Sequence, residues 1–157
     1  MLTRALSVLA ALSLCFQSGC GGPHEYSAVA PLPGGDAAAA LSRADARARQ
    51  LGYTTYRGDE GGKRLLDLGF KFRFVVGALL VAEKEHKCGI VHITGCRRSE
   101  VVILTLPSEG ATSLAVSAWV VQRANLLEGY NTKSVSKEVR ADADTLEAAA
   151  LAGQSGH

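Results

Sequence analysis

The sequence predicts an α+β domain in which an antiparallel sheet of about five strands is flanked by an N-terminal and a C-terminal helix. Helical periodicity occurs near both ends of the chain, in residues 36–52 and 135–153, whereas the residues between them contain apolar runs rich in Val, Leu and Phe. Strands that follow one another between two helices are typical of helices packed on an antiparallel sheet. The chain has 157 residues, 47% of them hydrophobic, which suits one globular domain; we place it at 36–152.

The first helix is predicted over DAAAALSRADARARQLG. Asp36 can cap the free backbone N–H groups of the first turn, and Gly52 suits the left-handed conformation that often ends a helix. The residues of its apolar face recur at helical spacing: Leu41, Ala44, Ala48 and Leu51. An alanine-rich face of this kind favours close packing on a sheet.

The closing helix is predicted over VSKEVRADADTLEAAALAG, and the last residues, 153–157, are expected to fray. Its narrow apolar stripe consists of Val139, Ala143, Leu146 and Ala150.

Strands account for most of the sequence between these helices. YTTYR (53–57) and KRLLDL (63–68) lie on either side of GDEGG, which predicts a hairpin around a Gly-rich turn. Two further strands are expected over 79–87 and 97–106, and another over 113–121. The apolar composition leaves a helix open as the alternative for 77–87 and for 112–128, and YNTKS (130–134) is interpreted as a loop.

Two cysteines constrain the middle of the sheet. In a straight strand, Cys88 and Cys96 would be about 26 Å apart, whereas a disulfide needs Cα atoms about 4.4–6.8 Å apart. A bridge therefore requires the chain to turn back between them, which Gly89 and Gly95 permit. We predict a Cys88–Cys96 disulfide at the tip of a hairpin.

That bridge sets a register for the hairpin. It places Lys84 opposite Glu100 and Leu80 opposite Leu104, so opposite charges and apolar side chains are paired.

A metal site is the alternative for the same segment. Two imidazoles and two thiols occur within eleven residues, at His86, Cys88, His92 and Cys96. Zinc and copper sites use these ligands, although a disulfide would remove both thiolates.

The beginning of the chain has the anatomy of an export signal. Arg4 is followed by twelve uncharged residues, ALSVLAALSLCF, a length typical of a signal-peptide core and shorter than the roughly 20 residues of a membrane-spanning helix. Gln17-Ser18-Gly19-Cys20 comes next and resembles the lipobox of bacterial lipoproteins, in which a small residue precedes a cysteine that is acylated and becomes the mature N-terminus. Ser18 and Gly19 match that pattern, whereas Gln17 stands where Leu is usual.

The resemblance implies that residues 1–19 are a signal peptide and that acyl chains on Cys20 hold the protein on a membrane. About two chains are needed for stable anchoring. Gly21, not Asp, follows the cysteine, which in these proteins favours the outer membrane and its periplasmic face. The alternative is a conventional signal peptide, with Cys20 a free or bridged thiol.

Residues 20–35 are predicted to be a flexible tether. Residues 21–35 contain four glycines and three prolines, which disfavour regular structure. Such a tether would hold the domain clear of the lipid headgroups.

The sequence gives little support for nucleic-acid binding or catalysis. The net charge is +2, no dense run of Lys or Arg occurs, and aromatic residues make up 6% of the chain. No familiar catalytic or phosphate-binding motif is present. Ser134 and Lys137 fit S-x-x-K in spacing alone, and the paired carboxylates, including Glu83 and Glu85, are expected to be solvated.

These observations predict a membrane-anchored envelope lipoprotein that carries a small, non-catalytic binding or structural domain and no cofactor. Its expected partners are the membrane, through the lipid, and an envelope protein. The alternative is a metal-binding or redox-active periplasmic lipoprotein that uses Cys88, Cys96, His86 and His92.

Overall fold

The computed structural model describes residues 25–32, 36–71, 77–88, 96–106, 112–123 and 131–152. The predicted signal peptide, Cys20, His92 and the tail at 153–157 lie outside these ranges. The described elements are, in chain order, β1 (Glu25–Pro31), α1 (Ala37–Gln50), β2 (Thr54–Arg57), α2 (Gly58–Asp67), β3 (Ala78–Lys87), β4 (Arg97–Leu106), β5 (Ser113–Arg123), β6 (Asn131–Lys133) and α3 (Lys137–Leu151).

The strands form one antiparallel sheet in the order β1-β5-β4-β3-β2, and β6 pairs with β5 beyond the end of β1. With α1 near the beginning of the described chain, directly after β1 in the order of elements, and α3 at its end, the predicted α+β class is confirmed. The two segments for which a helix was the alternative, 77–87 and 112–128, form strands in their described parts: β3 covers 78–87 and β5 covers 113–123.

Helices α1 and α3 cover one face of the sheet, which we call the α1/α3 face. The Asp36 side chain accepts a hydrogen bond from the Ala39 N–H, and Ser136 accepts one from Val139, so each helix begins at a capping side chain. The predicted α3 stripe is buried in full, as are three of the four predicted apolar residues of α1. Both stripes pack on even-numbered residues of the central strands, including Leu80, Val102 and Val116.

Helix α2 lies against the opposite face, the α2 face, and corrects the predicted hairpin. Residues 63–68 are not a strand, because GDEGGKRLLD forms a helix directly after β2. Leu65 and Leu68 are buried there with Phe70 and Trp119 of a second core cluster. The burial of these apolar side chains outweighs the low helix propensity of three glycines.

The sheet also begins earlier than expected. Glu25–Pro31, placed by the sequence in the tether, form β1 and pair with β5 from Trp119 to Ser113. The domain therefore includes residues before Asp36. Likewise, Asn131–Lys133, predicted to be in a loop, form β6.

Candidate functional site

The Cys88–Cys96 disulfide is present at the end of the β3–β4 hairpin, as predicted. The two Cα atoms are 5.3 Å apart, and the Cys88 N–H donates a hydrogen bond to the Cys96 carbonyl at 3.3 Å. The register places Lys84 opposite Glu100 and Leu80 opposite Leu104, which also agrees with the prediction.

The disulfide uses both thiols that the alternative metal site would need as thiolates. His86 lies on the α1/α3 face, where its Nε2 is 3.3 Å from Glu100 Oε2, and His92 lies outside the described residues. Within the described ranges, no three His, Cys, Asp or Glu side chains are grouped for a metal ion.

Basic side chains concentrate at the strand ends beside the disulfide. We call the last three residues of β3 and β5 and the first three of β4 the disulfide end: 85–87, 121–123 and 97–99. These nine residues include four basic side chains and one acidic side chain. The charged members are Lys87, Arg97, Arg98, Arg123 and Glu85.

Three of these basic side chains are neighbours across the sheet. Lys87 pairs with Arg97 in the β3–β4 register, and Arg97 pairs with Arg123 in the β4–β5 register, so all three lie in one row on the α2 face. Like charges directly opposite one another are destabilising. Glu85 offsets part of this repulsion, because its Oε1 accepts a hydrogen bond from Arg97 Nη1 at 2.9 Å.

A buried ion pair lies behind that row. Glu83 is only 3% exposed, and its carboxylate accepts hydrogen bonds from Arg64 Nε at 2.6 Å and Arg64 Nη2 at 2.8 Å. Ser99 Oγ donates a third at 2.7 Å. The prediction that Glu83 belongs to a solvated group of carboxylates is wrong. The alternation of side chains along a strand could have predicted its burial, since Glu83 continues the inward-facing series of Leu79 and Val81.

A second polar group forms on the α1/α3 face. Tyr53, directly after α1, is buried, and its hydroxyl donates a hydrogen bond to Asp142 Oδ2 of α3 at 2.8 Å. Lys84 Nζ lies 4.3 Å from the centre of the Tyr53 ring and 3.5 Å from Asp142 Oδ2. Burial first, and the hydrogen bond to Asp142 second, raise the pKa of Tyr53 well above its usual range.

The structure does not assemble the S-x-x-K pair as a helical turn. Ser134 lies before α3, whose first residue is Lys137, and both residues are exposed. Activation of a serine by a lysine requires hydrogen-bonding geometry between the two side chains, which these elements do not supply.

No protein-family model matches the chain, and comparisons with curated proteins and with solved structures found no significant match. None of the described helices is long and apolar enough to cross a membrane.

Proposed function

We propose that this chain is a lipid-anchored protein of the bacterial cell envelope and that its domain is a non-catalytic binding or structural module. The observation that carries the proposal is the uncharged segment after Arg4 that ends in Ser18-Gly19-Cys20. Acylation of Cys20 would attach the domain to a membrane, with the periplasmic face of the outer membrane as the proposed location.

The Cys88–Cys96 disulfide supports export. Disulfides persist in oxidising compartments such as the bacterial periplasm and are rare in reducing ones. An export signal and a disulfide in the domain that follows it are thus two independent features that favour the same compartment.

The contacts of the most buried polar groups support a structural role for them. The Glu83 carboxylate is held by Arg64 and Ser99, and the Tyr53 hydroxyl by Asp142. Groups that take part in closed intramolecular networks are typical of structural ion pairs and hydrogen bonds, whereas catalytic groups must reach a substrate. The proposed partners are the membrane, through the lipid, and an envelope protein.

The test is the intact mass of the mature protein extracted from bacterial membranes, measured before and after reduction and alkylation. We expect a chain that begins at Cys20 with added acyl chains, and two cysteines that are alkylated only after reduction. The Cys20→Ser variant is the matched control and should lose both the acyl mass and the membrane association. An unlipidated wild-type chain would refute the anchor, and alkylation of Cys88 and Cys96 without reduction would favour the metal-binding alternative.

A further inference from the structure

We propose that the disulfide end of the sheet docks on the anionic phospholipid headgroups of the membrane to which Cys20 is anchored. This inference rests on the proposed lipidation of Cys20. It adds a second, electrostatic contact with the membrane and fixes how the domain is oriented on it.

The first step is the direction in which the chain enters the sheet. Glu25 is paired with Trp119, which is paired with Val101, and Val101 is paired with Glu83. These four residues therefore lie at one level across the strands. Because β1 is antiparallel to β5, the N-terminal end of β1 points toward the disulfide end.

The second step is the reach of the anchor. Cys20 precedes Glu25 by five residues, which span at most about 18 Å when fully extended. From the level of Glu83 the hairpin continues for four residues to Lys87, about 13 Å in the same direction. Even if residues 20–24 were fully extended, Cys20 and Lys87 would therefore differ by only about 5 Å along the strand direction. This difference is smaller than the Debye length of about 8 Å at physiological ionic strength.

This geometry replaces the predicted long tether. With β1 beginning at Glu25, the domain cannot be held far from the headgroups while the strands point toward the membrane. Lys87 and the lipidated cysteine would lie at nearly the same depth.

The third step is charge. The row of Lys87, Arg97 and Arg123 places three cations side by side at the strand ends nearest the anchor. Each basic side chain near an anionic membrane strengthens the attraction to it about fivefold.

The opposite ends of the same strands provide the contrast. Residues 78–80, 104–106 and 113–115 carry no charged side chain. The charge of β3, β4 and β5 thus lies toward the end from which the anchor leaves, although the net charge of the whole chain is only +2. Anionic lipid is the occupant that fits both the cation row and the short anchor.

The experiment uses the mature full-length protein reconstituted into vesicles of phosphatidylethanolamine, with or without phosphatidylglycerol. Intact mass first verifies the lipid on Cys20, and amine labelling followed by mass spectrometry then compares Lys87 with Lys63. Lys63 is exposed and follows Gly62 in α2, next to Arg64, whose side chain contacts Glu83, four residues before Lys87 on β3. We expect phosphatidylglycerol to lower the labelling of Lys87 about fivefold relative to Lys63, and added salt to reverse the effect.

A matched pair of variants tests the role of charge. Arg97→Glu and Arg57→Glu change the net charge equally at two exposed positions, but Arg57 lies opposite Leu80 at the far end of the sheet. Arg97→Glu should abolish the protection of Lys87 by phosphatidylglycerol, whereas Arg57→Glu should leave it intact. If Lys87 of the lipidated protein is labelled as readily as Lys63 in vesicles that contain phosphatidylglycerol, the docking is refuted and the lipid anchor is still supported. An unlipidated chain would refute both the docking and the anchor.

Discussion

The buried ion pair between Arg64 and Glu83 supports a quantitative prediction about Arg64→Met. Glu83 is 3% exposed and Arg64 is 25% exposed, so removal of the arginine leaves a carboxylate charge enclosed by protein. Only the hydrogen bond from Ser99 would remain of the three that Glu83 accepts. The variant should therefore be destabilised through loss of charge compensation, since methionine fills much of the same space.

The magnitude follows from this burial. Breaking a buried ion pair by removing one partner typically costs about 3–5 kcal/mol. Because Arg64 borders solvent, water can reach Glu83 once the guanidinium is gone, so we expect the lower end, about 3 kcal/mol. The exposed pair of Glu85 and Arg97 is the control, and Glu85→Gln should cost less than about 1 kcal/mol.

Urea unfolding monitored by tryptophan fluorescence is a suitable assay. Trp119 is the only tryptophan in the chain, is buried, and packs edge-on against Phe70 in the core cluster beneath α2. Its fluorescence therefore reports on the region that contains the ion pair.

A triple variant separates charge compensation from packing. Arg64→Met/Glu83→Leu/Ser99→Ala removes both charges and the hydroxyl that would otherwise lose its acceptor. Apolar replacement of a complete buried network is often neutral or stabilising, so the triple variant should regain most of the stability that Arg64→Met loses. The reasoning is refuted if Arg64→Met unfolds within 1 kcal/mol of wild type, or if the triple variant is the least stable of the set.

Two further predictions concern Tyr53 and helix α2. Burial and the hydrogen bond to Asp142 raise the pKa of Tyr53. The stabilising effect of the neutral tyrosine should therefore be complete below about pH 10 and decline at higher pH, because the folded state opposes its ionisation. Tyr53→Phe should lower the free energy of unfolding by about 1 kcal/mol at neutral pH and make it less sensitive to pH above about 10; an unchanged slope at alkaline pH, measured by urea unfolding, would contradict this. Gly62→Ala should raise the free energy of unfolding by about 0.5–1 kcal/mol, because its new Cβ meets nothing within 4 Å. Gly61→Ala should lower it, because its Cβ would lie 3.2 Å from atoms of β2 and β3; equal effects of the two alanines would count against the close approach of α2 to the sheet.

Local signals were sufficient to predict the hairpin and the flanking helices. The register of β3 and β4 depends on two cysteines eight residues apart and on side chains between 80 and 104 that are close in sequence. Helices α1 and α3 carry their own caps and apolar stripes, so the signals lie within each element.

The elements that were missed depend on distant contacts. Only Ala30 of the seven β1 residues is buried, and the partner strand β5 is nearly 90 residues away. The local glycines and prolines therefore dominated the prediction. In α2, GDEGG is typical of a turn, and its helical form depends on the burial of Leu65 and on the contact of Arg64 with Glu83. Tertiary contacts outweigh local propensity in both cases.

The buried ion pair and the disulfide together explain why one register of β3 and β4 is selected. A slip of one residue would exchange the two faces of a strand, and the apolar pattern forbids it. A slip of two residues preserves the faces and pairs other apolar side chains, so hydrophobicity alone discriminates weakly against it. A two-residue slip in one direction would move Glu83 away from Ser99, and a slip in either direction would separate Cys88 from Cys96. The ion-pair network and the disulfide thus together specify the alignment that brings Lys87 and Arg97 to the same level, and an apolar replacement of the network should retain that alignment only while the disulfide is intact.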